Sequence, residues 1–277
     1  MLAIYKKEVK SYLTSMVGYV FMAFILLILG IYFTAYNLNY ATPDFGATLS
    51  SVTFIFLIIT PVLTMRILAE EKKNKTDQLL FTSPVAVWKI VLGKYLGMVT
   101  IYVIPVIIAA CYPLIMGKYG TVSYPMAYTA VIGFFFLGCA NIAVGLFLSS
   151  VTESQVIAAV LTFGVLFCSY VMNGIESFFS QTAVSSMLAF VVIGIIIAFI
   201  VYQMTRDAIL TGVVGVILVG VTVVLYFVKS SLFEGAIQKV LDLLAIANHF
   251  DNFVGGILDF SGIVYMLSVI CIFIFLT

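Results

Sequence analysis

Long apolar runs alternate with short polar breaks along the whole chain. A hydrocarbon core about 30 Å thick needs about 20 apolar residues per helix. Eight runs approach or meet that length: Val17–Tyr36, Ala47–Leu68, Val85–Met116, Pro125–Leu148, Gln155–Met172, Met187–Met204, Ile209–Val228 and Gly262–Leu276. The pattern predicts an all-α, polytopic integral membrane protein with about eight transmembrane helices. The third run exceeds one crossing and holds Pro105 and Pro113, so a kinked or broken helix is expected there. The eighth is the shortest and stops one residue before the last.

Two further segments have helical periodicity without the length to span. Before the first run, Leu2, Tyr5, Val9, Tyr12 and Leu13 recur at three- and four-residue spacing, with Lys6, Lys7 and Lys10 on the other side. This predicts an interfacial helix over residues 1–15, apolar face down and lysines in the headgroup layer. Between the seventh and eighth runs, within 229–261, Phe233, Ile237, Val240, Leu241 and Leu244 repeat opposite Glu234, Gln238 and Asp242, predicting an amphipathic or re-entrant helix.

Composition sharpens the class. Charged residues make up 9% of the 277, against roughly 25% in a soluble domain. Thirteen Lys and Arg nearly cancel twelve Asp and Glu, which excludes a basic surface for nucleic acid. Placement matters more than the sum. Lys6, Lys7 and Lys10 precede the first run, and Arg66, Lys72, Lys73, Lys75, Lys89 and Lys94 cluster between the second and third, so both segments are expected in the cytoplasm. With eight spans both termini lie inside, Thr205-Arg206-Asp207 turns in the cytoplasm, and Lys118 and Lys239 lie outside. Glu153, Glu176, Arg206, Asp207 and Asp259 fall at predicted span ends, so charge within the membrane is expected to be nearly absent.

Candidate chemistry is sparse. Cys111, Cys139, Cys168 and Cys271 sit in apolar runs without C-x-x-C spacing, and His249 is the lone histidine, so no metal site is expected. His249 reads as a hydrogen-bonded interface residue. No G-x-x-x-x-G-K-[ST] phosphate loop and no H-E-x-x-H occur, so the chain is expected neither to bind ATP in the P-loop manner nor to be an enzyme. The richest segment is Met65 to Pro84. Asp77 and Gln78 open a helical turn, and Leu79, Leu80 and Phe81 form an apolar knob that needs a partner to cover it. Ser83-Pro84 reads as N-cap and first residue of the next helix, with Trp88 at interface depth.

Those residues carry a resemblance. Met65-Arg66, Ala69-Glu70-Glu71-Lys72, Thr76, Leu79-Leu80, Thr82-Ser83-Pro84-Val85 and Ile90-Val91-Leu92-Gly93-Lys94 resemble the signature of permease subunits of type-2 ABC transporters. The branch resembled holds the gliding-motility permease GldF and the copper-site maturation permease NosY. Ala3-Ile4-Tyr5-Lys6-Lys7-Glu8, Ser149-Ser150-Val151-Thr152-Glu153-Ser154-Gln155, and His249-Phe250 with Phe253, Gly256, Asp259, Tyr265 and Leu267-Ser268 are similar to that branch's other motifs. Lys75 stands where glycine is usual, Asp77 where glutamate is, and Gly255 and Gly262 where charges are common.

The resemblance implies a six-helix permease core, into which residues 187–228 are an inserted hairpin. It implies a cytoplasmic coupling loop over 69–84, in which Glu70, Glu71, Thr76, Asp77, Gln78, Leu79, Leu80, Phe81, Ser83 and Pro84 face a separate ATPase. Thr152 and Glu153 would form a second contact, and Tyr5, Lys6, Lys7, Lys10 and Trp88 would lie at the membrane interface. ATP and Mg would belong to the partner ATPase, a second permease would complete the pair, and the site would be the plasma membrane of a prokaryote, with transport outward. An ion-coupled secondary transporter, which would need carboxylates or histidine at mid-span, and a non-transporting assembly subunit are the alternatives.

Overall fold

A computed structural model describes residues 1–76, 85–118, 120–176, 182–205, 208–230 and 233–277. Every described regular element is helical. α1 (Leu2–Thr14) is followed at once by α2 (Met16–Tyr32), which continues as a π-helix over Phe33–Asn39. Ser15 between them is extended, φ −99° and ψ 150°, so the chain turns sharply where the polar helix meets the apolar one. The second span is built in pieces: α3 (Phe45–Val52), a 3-10 turn (Thr53–Ile55), α4 (Phe56–Thr64) and α5 (Ala69–Lys73). α6 (Val87–Ala110) and α7 (Tyr112–Met116) form the third, α8 (Tyr124–Val151) the fourth and α9 (Gln155–Glu176) the fifth.

α10 (Ala183–Thr205) and α11 (Ala208–Val228) come next, then α12 (Ala236–Leu244), a 3-10 segment (Ile246–Phe250), α13 (Asp251–Val254) and α14 (Phe260–Leu276). Among the described residues six helices are long and apolar enough to cross a membrane, and Gly215–Phe227 and Phe260–Leu276 are shorter apolar helices. All eight expected runs are therefore helical.

The boundaries refine the expectation. α6 runs through Pro105 and breaks only at Cys111, where Pro113 sits in the first turn of α7. Proline's missing N–H costs least at that position. At its other end α6 starts at Val87 with Ala86 as N-cap, and the expected cap pair Ser83-Pro84 lies outside the described residues. Asp44 caps α3 through a 3.1 Å bond from the Ala47 amide.

Residues Met1–Tyr170 and Ile246–Thr277 form one compact unit. Its axis is α8, of whose apolar stretch 72% is buried, against 17% for α9. Lipid is as apolar as leucine, so helices in a bilayer associate through close packing and hydrogen bonds rather than by escape from water. Both are visible here. Gly138 leaves room for the Tyr102 ring, and the Tyr102 hydroxyl donates to the Phe134 carbonyl at 2.6 Å. The Tyr95 hydroxyl donates to Cys139 O at 3.1 Å and that of Tyr12 to Leu63 O at 2.8 Å. At the far end, Asn37 donates to the carbonyls of Thr42 and Asp44 and accepts from Thr48, closing the turn between the first two spans.

Near its C-terminus the same unit holds His249 by a parallel stack on Tyr265, ring centroids 3.7 Å apart. Its Nδ1 is buried and has no hydrogen-bond partner among the described residues. Asp259 caps α14, accepting from the Ser261 amide at 2.9 Å and from Asn252 at 2.8 Å. The Asn252 bond holds its carboxyl below the usual carboxylate range.

Residues Val171–Ala245 form the second unit, in which α10 and α11 pack along each other and α12 packs on α10. Phe233 packs edge-on to Phe190 and Tyr226 with centroids 6.0 Å away in each case. Of the expected apolar face, Phe233, Ile237 and Leu241 are buried, whereas Val240 and Leu244 are exposed. The buried stripe is thus one i, i+4 row and narrower than the periodicity implied.

Candidate functional site

The densest polar cluster among the described residues lies where α1, the α4–α5 junction, α6 and the end of α8 meet. Lys94, the eighth residue of α6, is 1% exposed and sits beside two carboxylates: Glu8 of α1 at 3.1 Å and Glu71 of α5 at 2.8 Å. Its ammonium also donates to the Ile67 carbonyl at 3.1 Å, which uses all three of its N–H groups. The expectation of nearly charge-free spans is corrected here. An ammonium can sit inside an apolar helix when its partners come from two other segments and leave no charge unpaired. Lys7, mostly exposed, adds a looser pairing to Glu71 at 3.6 Å, and Arg66 pairs with Glu70 at 3.0 Å one turn away. Such exposed pairs contribute little energy.

The approach of α1 is made possible by Gly97. A Cβ there would stand 2.9 Å from the Glu8 Cβ, so a larger residue would push α1 off α6 and lengthen the Glu8–Lys94 bond. The buried row of α1 is accordingly Glu8 and Tyr12, with Ile4 and Tyr5 half-buried, while Leu2 and Leu13 stay exposed. The apolar face expected to lie on lipid is therefore divided, one edge docking on protein and the rest facing outward. Burial also pushes the Tyr12 hydroxyl pKa up, keeping it a neutral donor to Leu63.

The α4–α5 junction is capped from another helix. Leu68, the N-cap of α5, offers no side-chain acceptor. Instead the fully buried Ser149 hydroxyl of α8 accepts from the amides of Leu68 and Ala69 at 3.3 and 3.2 Å, and lies 3.3 Å from the Met65 carbonyl. Lys72 donates to the Ser150 carbonyl next to it. Two residues beyond, Thr152 accepts from the Ser154 amide at 3.1 Å, and Glu153 is exposed. α5 ends in a left-handed cap. Lys75 has φ 56°, its amide donates to Lys72 O at 3.0 Å, and the Thr76 amide donates to Glu71 O at 2.9 Å, the bond pattern of a Schellman motif. Between α1 and this segment lies a cleft of about 220 Å³, walled by Ser11 and Tyr12 on one side and by Arg66, Glu70, Asn74 and Thr76 on the other.

The family model described as ABC-2 family transporter protein matches residues 2–277. The chain belongs to the ABC-2 transporter family. No curated protein matches it. As an ABC-2 transporter it is a multi-pass membrane component of an ABC transporter, the part without an ATPase domain of its own.

Of the residues singled out in the ABC-2 transporter's sequence, Glu70, Glu71 and Thr76 come together around the cleft, with Lys7 beside them. Thr152 and Glu153 follow in sequence the Ser149 and Ser150 that bind this segment, Thr152 bonding the Ser154 amide and Glu153 being exposed. Asp77, Gln78, Leu79, Leu80, Phe81, Ser83 and Pro84 lie outside the described residues. Tyr5 bonds Thr100 of α6 at 3.0 Å, Lys6 and Lys10 are exposed, and Trp88 is exposed with the Lys89 ammonium 5.4 Å from its ring centre. Sequence reasoning missed the joint role of Glu8, Lys94 and Ser149. A signal for the first two was present, because a lysine at the tenth position of the apolar run Val85–Met116 calls for a buried carboxylate, and Glu8 is the one acid of the N-terminal helix.

Proposed function

We propose that this chain is the permease subunit of a type-2 ABC transporter of the GldF/NosY-like branch, working in a pair with a second permease and two cytoplasmic ATPase subunits. ATP and Mg bind on those subunits, the clustered end of the bundle faces the cytoplasm of a prokaryotic cell, and substrate moves outward. The observation that carries the reading is the way residues 66–76 are tied down. Lys94 joins that segment to α1 and to α6, and Ser149 joins it to α8. A displacement imposed by an ATPase on residues 69–84 would therefore pass directly to α1 and to two long helices of the bundle, α6 and α8. A solvated loop needs no such anchorage, since the pairing costs desolvation of three charges. Thr152 and Glu153 follow Ser150 on the same side, consistent with a second ATPase contact.

The test is Leu80→Asp. A charge placed at the centre of an apolar contact costs about 2 kcal/mol or more, about 30-fold in affinity. Co-purification of the ATPase and permease-stimulated ATP turnover should both fall by that order, with membrane insertion unchanged. Association and turnover equal to wild type would remove the coupling assignment.

A further inference from the structure

The face of α1 turned away from Glu8 and Tyr12 has no protein partner among the described residues. At its start a groove of about 240 Å³ opens between the two helices, walled by Met1, Leu2 and Tyr5 of the N-terminal segment and Leu96 of α6. Its lining is almost wholly apolar, because the Tyr5 hydroxyl is turned to Thr100 and leaves only the ring on the wall. Leu2 and Leu96 are exposed along it. Lys6 lies one turn beyond Leu2 on the same face of α1, and Lys10 one turn beyond Lys6. On α6, Lys89 precedes Leu96 by seven residues, two turns, and so shares its face about 10 Å nearer the helix start. All three lysines are exposed. Glu8, the one acid of α1, is turned to the opposite edge and held by Lys94.

We infer that this groove is a binding site for one anionic glycerophospholipid, an acyl chain lying against Leu2, Tyr5 and Leu96 and the phosphate held by Lys6, Lys10 and Lys89. Charge complementarity selects this occupant. An apolar helix of a partner protein would fill the groove but leave three ammonium groups with nothing to pair, and a zwitterionic lipid would offset its own phosphate with its own cation. An amphipathic helix that floats in the headgroup layer attracts anionic lipid only diffusely. Here α1 is fixed to α6 at Gly97, at Lys94 and at Thr100, so the groove keeps its shape and the attraction becomes a site.

Trp88 is the single tryptophan and stands about 12 Å of helix from Leu96, so it reports lipid occupancy by energy transfer. The full chain would be reconstituted in nanodiscs of phosphatidylcholine containing trace dansyl-phosphatidylglycerol or dansyl-phosphatidylcholine. Transfer from Trp88 should show preferential retention of phosphatidylglycerol. A surface lysine contributes about 1 kcal/mol towards an anionic lipid, about five-fold. K6Q/K10Q should therefore reduce the preference about 25-fold, K6R/K10R should restore it, and Leu96→Gln should lower retention of both lipids. ATPase association should be unchanged in all of them, which separates this result from the coupling assignment. Equal retention of the two lipids by wild type, or a preference that K6Q/K10Q leaves intact, would overturn the site. A photo-reactive residue at Leu2 that cross-links a protein rather than a lipid would overturn it equally.

Discussion

Lys94 carries one positive charge between two carboxylates, with the nearby cation Lys7 largely in solvent. Removing the ammonium leaves Glu8 and Glu71 close together in a site where neither can be fully hydrated, and breaking a buried pair from one side costs about 3–5 kcal/mol. Lys94→Met is therefore expected to loosen α1 and α5 together. Limited proteolysis should cut the Thr14–Met16 and Lys73–Thr76 regions at least ten-fold faster than in wild type. Adding Glu8→Gln removes one of the orphaned charges and should recover part of that protection. A cleavage pattern identical to wild type in the single variant would show that the triad does not anchor these segments.

At the scale of elements, the end of α5 shows how a departure in sequence is absorbed. Lys75 occupies the position at which related permeases are expected to have glycine, and its φ of 56° lies in the left-handed region that glycine enters freely. For a residue with a Cβ that conformation costs roughly 1–2 kcal/mol. The two cap bonds to Lys72 and Glu71 hold it there. Lys75→Gly is expected to tighten the cap by about 1 kcal/mol, seen as about five-fold slower hydrogen exchange at the Thr76 amide. Lys75→Val, branched at Cβ, should exchange faster than wild type. Sequence periodicity located this element only as a charged stretch. Its short helix depends on Ser149 from 80 residues away to satisfy the amides of its first turn.

Across the whole molecule, charge placement carries an expectation of which loops share a side of the membrane. α10 and α11 are separated by Arg206 and Asp207, which lie outside the described residues, and the helices themselves are long enough to pass from one face to the other. With both helices crossing, Arg206 shares a side with Lys10, and Lys239 lies on the other. In a background with Cys111, Cys139, Cys168 and Cys271 replaced by Ala, cysteine at Arg206 or Lys10 should react with an impermeant thiol reagent only from the cytoplasmic side. Cysteine at Lys239 should react only from outside. Labelling of the Arg206 position from outside would overturn the eight-span arrangement, and failure to label it from either side would favour a turn buried within the membrane.

The place and helical type of the apolar runs were legible in the sequence because a bilayer demands a long apolar run for each crossing, and such runs are visible without any knowledge of partners. The same holds for the amphipathic character of α1. Which face of α1 docks, and on what, was decided by tertiary structure. The periodicity of Leu2, Tyr5, Val9, Tyr12 and Leu13 describes one apolar face, whereas the fold buries Glu8 and Tyr12 and exposes Leu2 and Leu13. The physical reason is that Lys94 cannot remain in an apolar helix unpaired, and its acids stand 86 residues before it and 23 before it in the chain. Pairings over such separations have no period and no local signature. They exist only once α1, α5 and α6 have been brought together.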